Sequence, residues 1–84
     1  MKIEWKPNNV SFEAIIDGKY CGLVHRNPNH PNVQNPGKWG AVWLTKDGGI
    51  SSTGMYLETE QEAKEAWIRG YTRESSKDVP SQSQ

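Results

Sequence analysis

The chain predicts an α+β fold: an antiparallel β-sheet of four to five strands with one C-terminal α-helix packed on one face. Three observations carry this expectation. Asp17-Gly18 separates two strand-like runs and Lys46-Asp47-Gly48-Gly49 separates two more; both are hairpin signals, because these residue types tolerate the positive φ that a tight reversal needs. Thr59-Glu60-Gln61-Glu62 then opens a helix as a capping box. Its Thr59 hydroxyl is expected to accept from the Glu62 amide, and its Glu62 carboxylate to reach back to the Thr59 amide.

Taken in order, Lys2 to Lys6 alternates weakly and stops at Pro7, so it reads as a short edge strand before an Asn8-Asn9 turn. Val10 to Asp17 places Phe12, Ala14 and Ile16 on one face, and Tyr20 to Arg26 returns as its hairpin partner. Residues 27–37 hold three prolines and four asparagines, which exclude helix and ladder alike and make a long loop. Loops of that length in small domains tend to be functional or disordered. Lys38 to Lys46 is the strongest strand, paired antiparallel with Ile50 to Leu57. From Thr59 onward Ala63, Ala66, Trp67 and Tyr71 recur at helical spacing. Glu60 with Lys64 and Glu65 with Arg69 form acid-to-base pairs four apart, each contributing ~0.2–0.5 kcal/mol. Gly70 either ends the helix or sits inside it at about 1 kcal/mol. The expected organisation is one domain over residues 1–74 and a disordered tail over 75–84, whose Ser-Gln repeat and Pro80 offer little to bury.

A chain of 84 residues buries only about 60% of the surface its unfolded form exposes. The single cysteine, Cys21, has no intramolecular disulfide partner, and nothing at the N-terminus reads as a basic region followed by an apolar run and a small-residue cleavage site. Apolar runs fall far short of the roughly 20 residues that span a bilayer. These features predict a cytoplasmic chain that does not enter membranes. Ten basic residues balance ten acidic ones, which weighs against a protein devoted to neutralising phosphates. Residues 1–57 carry +2 and residues 58–84 carry −2, a split that fits a solvated charged helix face.

Side chains alternate along a strand, so Trp39, Ala41 and Trp43 share one face of the strongest strand while Lys38, Gly40, Val42, Leu44 and Lys46 share the other. The tryptophan face is the expected seat of the helix, where Ala63 and Ala66 permit close approach. One helix covers only one face. The second face, with Val42 and Leu44 between two lysines and Tyr56 expected on the same side, is therefore left to solvent or to a partner, a second copy of the chain included.

Gly37-Lys38-Trp39, followed by a hairpin and by Thr59, Ala63 and Trp67 at a helix start, resembles the N-terminal arm-binding domain of phage-type tyrosine integrases over about residues 37–71. That family lays the outer face of a three-stranded sheet into a DNA major groove. The resemblance implies DNA binding through the same face here. Two departures stand beside it: Val42 and Leu44 occupy a face that is rich in Arg and Lys in the family, and no integrase catalytic domain follows. The chain is also similar in general character to small phage and prophage accessory proteins, many of which bind a host protein, so a phage-encoded chain would work in the host cytoplasm.

Other constellations have simpler explanations. Cys21 and His25, read as sharing a strand face, with His30 in the loop beyond, lack the paired spacing of zinc sites, and no oriented third group supports a Cys-His nucleophile. Glu58, Glu60, Glu62 and Glu65 complement a helix N-terminus. Gly48-Gly49 makes a turn, since it has no phosphate-loop context. Of the four tryptophans, Trp39 and Trp67 are assigned to the core, leaving Trp5 and Trp43 as stacking candidates for single-stranded nucleic acid. The expectation is accordingly a non-enzymatic module without catalytic residues, metal or cofactor. It binds another protein, of host or phage, through the outer sheet face and the 27–37 loop, with Lys38, Val42, Leu44, Lys46, Tyr56, Asn29 and His30 as contact residues. Major-groove DNA binding by that face is the alternative.

Overall fold

The structure, a computed structural model, describes residues 2–9 and 11–76. Strands β1 (Glu4–Asn8), β2 (Ser11–Ile16), β3 (Lys19–Arg26), β4 (Trp39–Leu44) and β5 (Ile50–Leu57) precede one helix, α1 (Glu60–Ser76). The strands form a single antiparallel sheet in the order β1-β2-β3-β4-β5, each hydrogen-bonded to its sequence neighbour. The α+β architecture is thus the expected one, with five strands.

Local chemistry explains most boundaries. Asp17 and Gly18 both have positive φ, 53° and 77°, the geometry of the two-residue turn that matches strand twist. In the β4–β5 turn the Thr45 amide donates to the Gly49 carbonyl at 2.9 Å, and the Gly49 amide donates to the Thr45 hydroxyl at 2.9 Å. Pro7 lies inside β1 rather than after it. That strand is an edge, where a missing N–H can face solvent without deleting a ladder bond. The long loop is organised around Asn27, whose amide donates to the Lys38 carbonyl at 2.9 Å and whose side-chain nitrogen donates to the carbonyls of Gln34 and Asn35 at 3.0 and 3.2 Å.

The helix begins as a cap with one altered bond. The Glu62 amide donates to the Thr59 hydroxyl at 3.1 Å, as expected, but the Glu62 carboxylate accepts from the amide of Glu58 at 3.0 Å and not from that of Thr59. Lys64 pairs with Glu60 at 2.6 Å, whereas Glu65 accepts from Gln61 at 3.1 Å instead of meeting Arg69. The helix does not stop at Gly70. It continues to Ser76, so the expected tail boundary at residue 75 falls within the last turn, and the rest of that tail lies outside the described residues.

The helix packs chiefly on β4, with β3 and β5 to either side. Ala14, Val24, Ala41, Trp43, Ala63 and Trp67 form the buried cluster, and Ile3, Trp5, Phe12, Trp39, Leu57 and Tyr71 surround it. Trp67 is its centre: fully buried, it meets Trp5 edge-on at 5.5 Å, stacks on Tyr71 at 4.7 Å and donates its indole N–H to the Val42 carbonyl at 2.7 Å. Trp5 and Trp43, the stacking candidates, are therefore corrected to core residues, since Trp5 packs on Trp67 and Trp43 is only 7% exposed. A flat aromatic platform needs a free ring, and these two are packed into or against the core.

Candidate binding surface

The sheet presents its other face uncovered. Val42 alternates with the buried Ala41 and Trp43, so it projects away from the helix, and register brings Leu23 of β3 directly opposite it. His25, two residues on, lies on the same side. Leu44 continues the row and pairs with Ile50, and on the far side of β3 Tyr20 pairs with Ile15. Leu44, Tyr20 and Ile50 are 37%, 46% and 70% exposed. An open groove of ≈490 Å³ runs among Asn8, Asn9, Ser11, Leu23, His25 and Val42. Its floor is apolar and its rim is polar, and it lies at the end of the sheet from which the 27–37 loop departs.

The electrostatics of this face are weak. Its β1–β2 portion alternates Glu4, Lys6 and Glu13, with Lys6 directly opposite Glu13. Burial lowers the pKa of His25 below 6.5, so the imidazole is neutral at pH 7. Tyr20 is pushed above 10.0, first by burial and then by the carboxylate of Glu13.

The expected contact residues separate into groups. Val42 and Leu44 lie on the outer face. Lys38 is ion-paired with Glu58 at 2.6 Å, and Lys46 sits in the β4–β5 turn. Asn29 and His30 are exposed in the loop, where His30 Nδ1 accepts from the Asn32 amide at 3.1 Å. Tyr56 does not join Val42. It is the extra residue of a register shift, because Trp39 faces Leu57 while Gly40 faces Met55, and it lines a cleft beside Arg69 and Arg73 of the helix. Leu23, His25, Tyr20 and Ile50 are the outer-face residues that sequence reasoning missed. Alternation could have suggested Leu23, but only the β3–β4 register sets it against Val42.

Cys21 and His25 do not share a face as expected. Ala14 pairs with Gly22 and Ile15 with Tyr20, so Cys21 is the bulged residue of β3. Its sulfur lies 3.7 Å from the Tyr71 hydroxyl on the helix side, whereas His25 borders the outer groove and His30 belongs to the loop. Among the described residues no group of three or more His, Cys, Asp or Glu side chains could hold a metal ion. No described helix is long and apolar enough to cross a membrane. Comparison with protein-family models, with curated proteins and with solved structures returns no match.

Proposed function

We propose that the chain is a non-enzymatic protein-binding module whose recognition surface is the uncovered sheet face, centred on Val42 and Leu23. The carrying observation is the apolar row Leu23, Val42, Leu44 and Ile50 on a face that the only described helix leaves open. Such a row with a polar rim has the make-up of an interface core, and burying it against a partner would contribute about 25 cal/mol per Å² of apolar area. The neighbouring 27–37 loop supplies exposed polar groups at one end of the strip.

Charge favours a protein over DNA as the partner. Lys38 already has a carboxylate, and the charges of β1 and β2 on this face alternate in sign. A major-groove reader needs several uncompensated cations to release counterions. A small accessory role of the kind found among phage proteins is compatible with this reading.

The test compares immobilised wild-type chain with Val42→Glu. A protein retained by the wild type, lost with Val42→Glu and still held when salt rises from about 50 to about 200 mM supports the proposal. Retention that disappears over that range and requires nucleic acid establishes the DNA reading. The helical circular-dichroism signal must survive in Val42→Glu, since the substitution leaves the tryptophan core untouched.

A further inference from the structure

A second surface, on the opposite side of the sheet, carries a different chemistry. β5 and α1 bound a cleft of ≈380 Å³ lined by Trp43, Ser51, Tyr56, Arg69, Arg73 and Glu74, among others. Arg69 and Arg73 are four residues apart and so adjacent on the helix surface. Across from them β5 reads Ile-Ser-Ser-Thr-Gly-Met-Tyr-Leu and contains no carboxylate at all. Glu65, one turn before Arg69, accepts instead from Gln61. The lining of the cleft thus holds two arginines and one acid, Glu74.

Two independent features add donors. Trp43 is more than nine-tenths buried along this cleft, and its indole N–H has no partner, the sole such buried side-chain atom among the described residues. A buried donor without an acceptor is unfavourable, and an oxygen that reached it would relieve that. Tyr56 is the extra residue of a bulge, a device that re-aims a side chain, and it turns from the outer face to the cleft. Gly70 leaves room for the Trp43 ring against the helix: a Cβ there would lie 2.2 Å from it.

We propose that the cleft between β5 and α1 is an oxyanion-binding site, in which Arg69 and Arg73 clamp a phosphate or carboxylate group and Tyr56 and Trp43 complete the donor set. Guanidinium forks suit such planar or tetrahedral oxyanions because they donate two parallel hydrogen bonds. Arg73 also complements the helix C-terminus, but that role needs one cation and gives no reason for Arg69, Tyr56 and an unpartnered indole to converge. The site lies away from Val42 and does not rest on the binding role of the outer face.

The experiment titrates ¹⁵N-labelled full-length chain with inorganic phosphate in one arm and glutarate in the other, at constant ionic strength set with chloride. The arginine Nε–H and tryptophan indole signals are followed. Saturable shifts at Arg69, Arg73 and Trp43 are expected, and the tighter arm identifies the ligand as phosphate-bearing or carboxylate-bearing. The double variant Arg69→Gln/Arg73→Gln should weaken binding about tenfold or more, because it removes both charged donor forks. Both positions are exposed, so the fold should persist, and Arg69→Lys, which keeps the charge but not the fork, should be intermediate. Val42→Glu should leave the response unchanged, separating this site from the outer face. Shifts that fail to saturate in both arms, or that survive in the double variant, overturn the proposal.

Discussion

At the scale of single residues, the core is a fit of two indoles into two gaps. Gly22 has φ of 146°, and a Cβ there would lie 2.3 Å from the Val42 carbonyl oxygen and 2.7 Å from Trp67 Nε1. The hydrogen bond that anchors Trp67 to β4 thus needs a glycine on β3. Gly70 does the same for Trp43. Helix propensity alone makes Gly70→Ala stabilising by about 1 kcal/mol, whereas the clash with a buried ring makes it destabilising by about 1–3 kcal/mol. The ring is fixed on β4 and cannot withdraw, so the second effect wins. Denaturant unfolding of Gly70→Ala should show a net loss, and a gain would mean that Trp43 is free to move. Trp67→Phe keeps most of the apolar contact but leaves the Val42 carbonyl without its indole donor, and should cost about 1–3 kcal/mol by the same measurement.

At the scale of elements, the helix depends on its cap and its stripe, and the sheet on its bulges. The Thr59 hydroxyl holds the Glu62 amide, so Thr59→Ala should lose about 1 kcal/mol of unfolding free energy with binding unchanged. Because the Glu62 carboxylate serves Glu58 and not Thr59, the two capping bonds are separate, and Thr59→Ala should leave the second in place. The two sheet edges differ as well. β1 carries Glu4, Lys6 and Pro7, which discourage further pairing, while β5 carries no charge or proline and relies on its register shifts at Thr53 to Tyr56. In the second shift the Ala41 amide, lacking a ladder partner, donates to the Thr53 hydroxyl at 3.1 Å. Lys64 closes the open end of the core, its ammonium 4.3 Å from the Phe12 ring centroid and 5.4 Å from that of Trp5.

At the scale of the molecule, one sheet separates two chemistries, an apolar outer face and a cationic cleft beside the helix. His25 connects the first of these to pH. Its folded pKa lies below the 6.5 of a free imidazole because burial disfavours the charged form. The unfolded chain therefore takes up the proton first. The contribution of His25 to stability is complete above about 6.5 and is lost as pH falls through the folded value. Partner binding by the outer face should weaken over the same window, since a charge then enters the groove beside Leu23 and Val42. Affinity measured from pH 7.5 to 5 should fall for the wild type and stay level for His25→Asn. A fall of equal size in the variant would assign the effect to another group.

Local signals in the sequence determined the elements, the α+β class and the helix-facing side of β4, because turn chemistry, capping and alternation act over a few residues. Asp17-Gly18, Thr59 with Glu62, and Trp39-Ala41-Trp43 each carry their meaning without knowledge of the rest of the chain. The same signals gave the outer position of Val42 and Leu44. The tertiary structure alone decided what depends on register. A one-residue bulge turns Cys21 from the side of His25 toward Tyr71, and a one-residue shift turns Tyr56 from Val42 toward Arg69 and Arg73. Alternation has no way to count an extra residue until the partner strand is in place. Lys38 finds Glu58 across 20 residues of chain, and Gly70 stays within the helix because a ring from β4 occupies its side. Neither contact has a local signature, since both exist only when β4, β5 and the helix have come together.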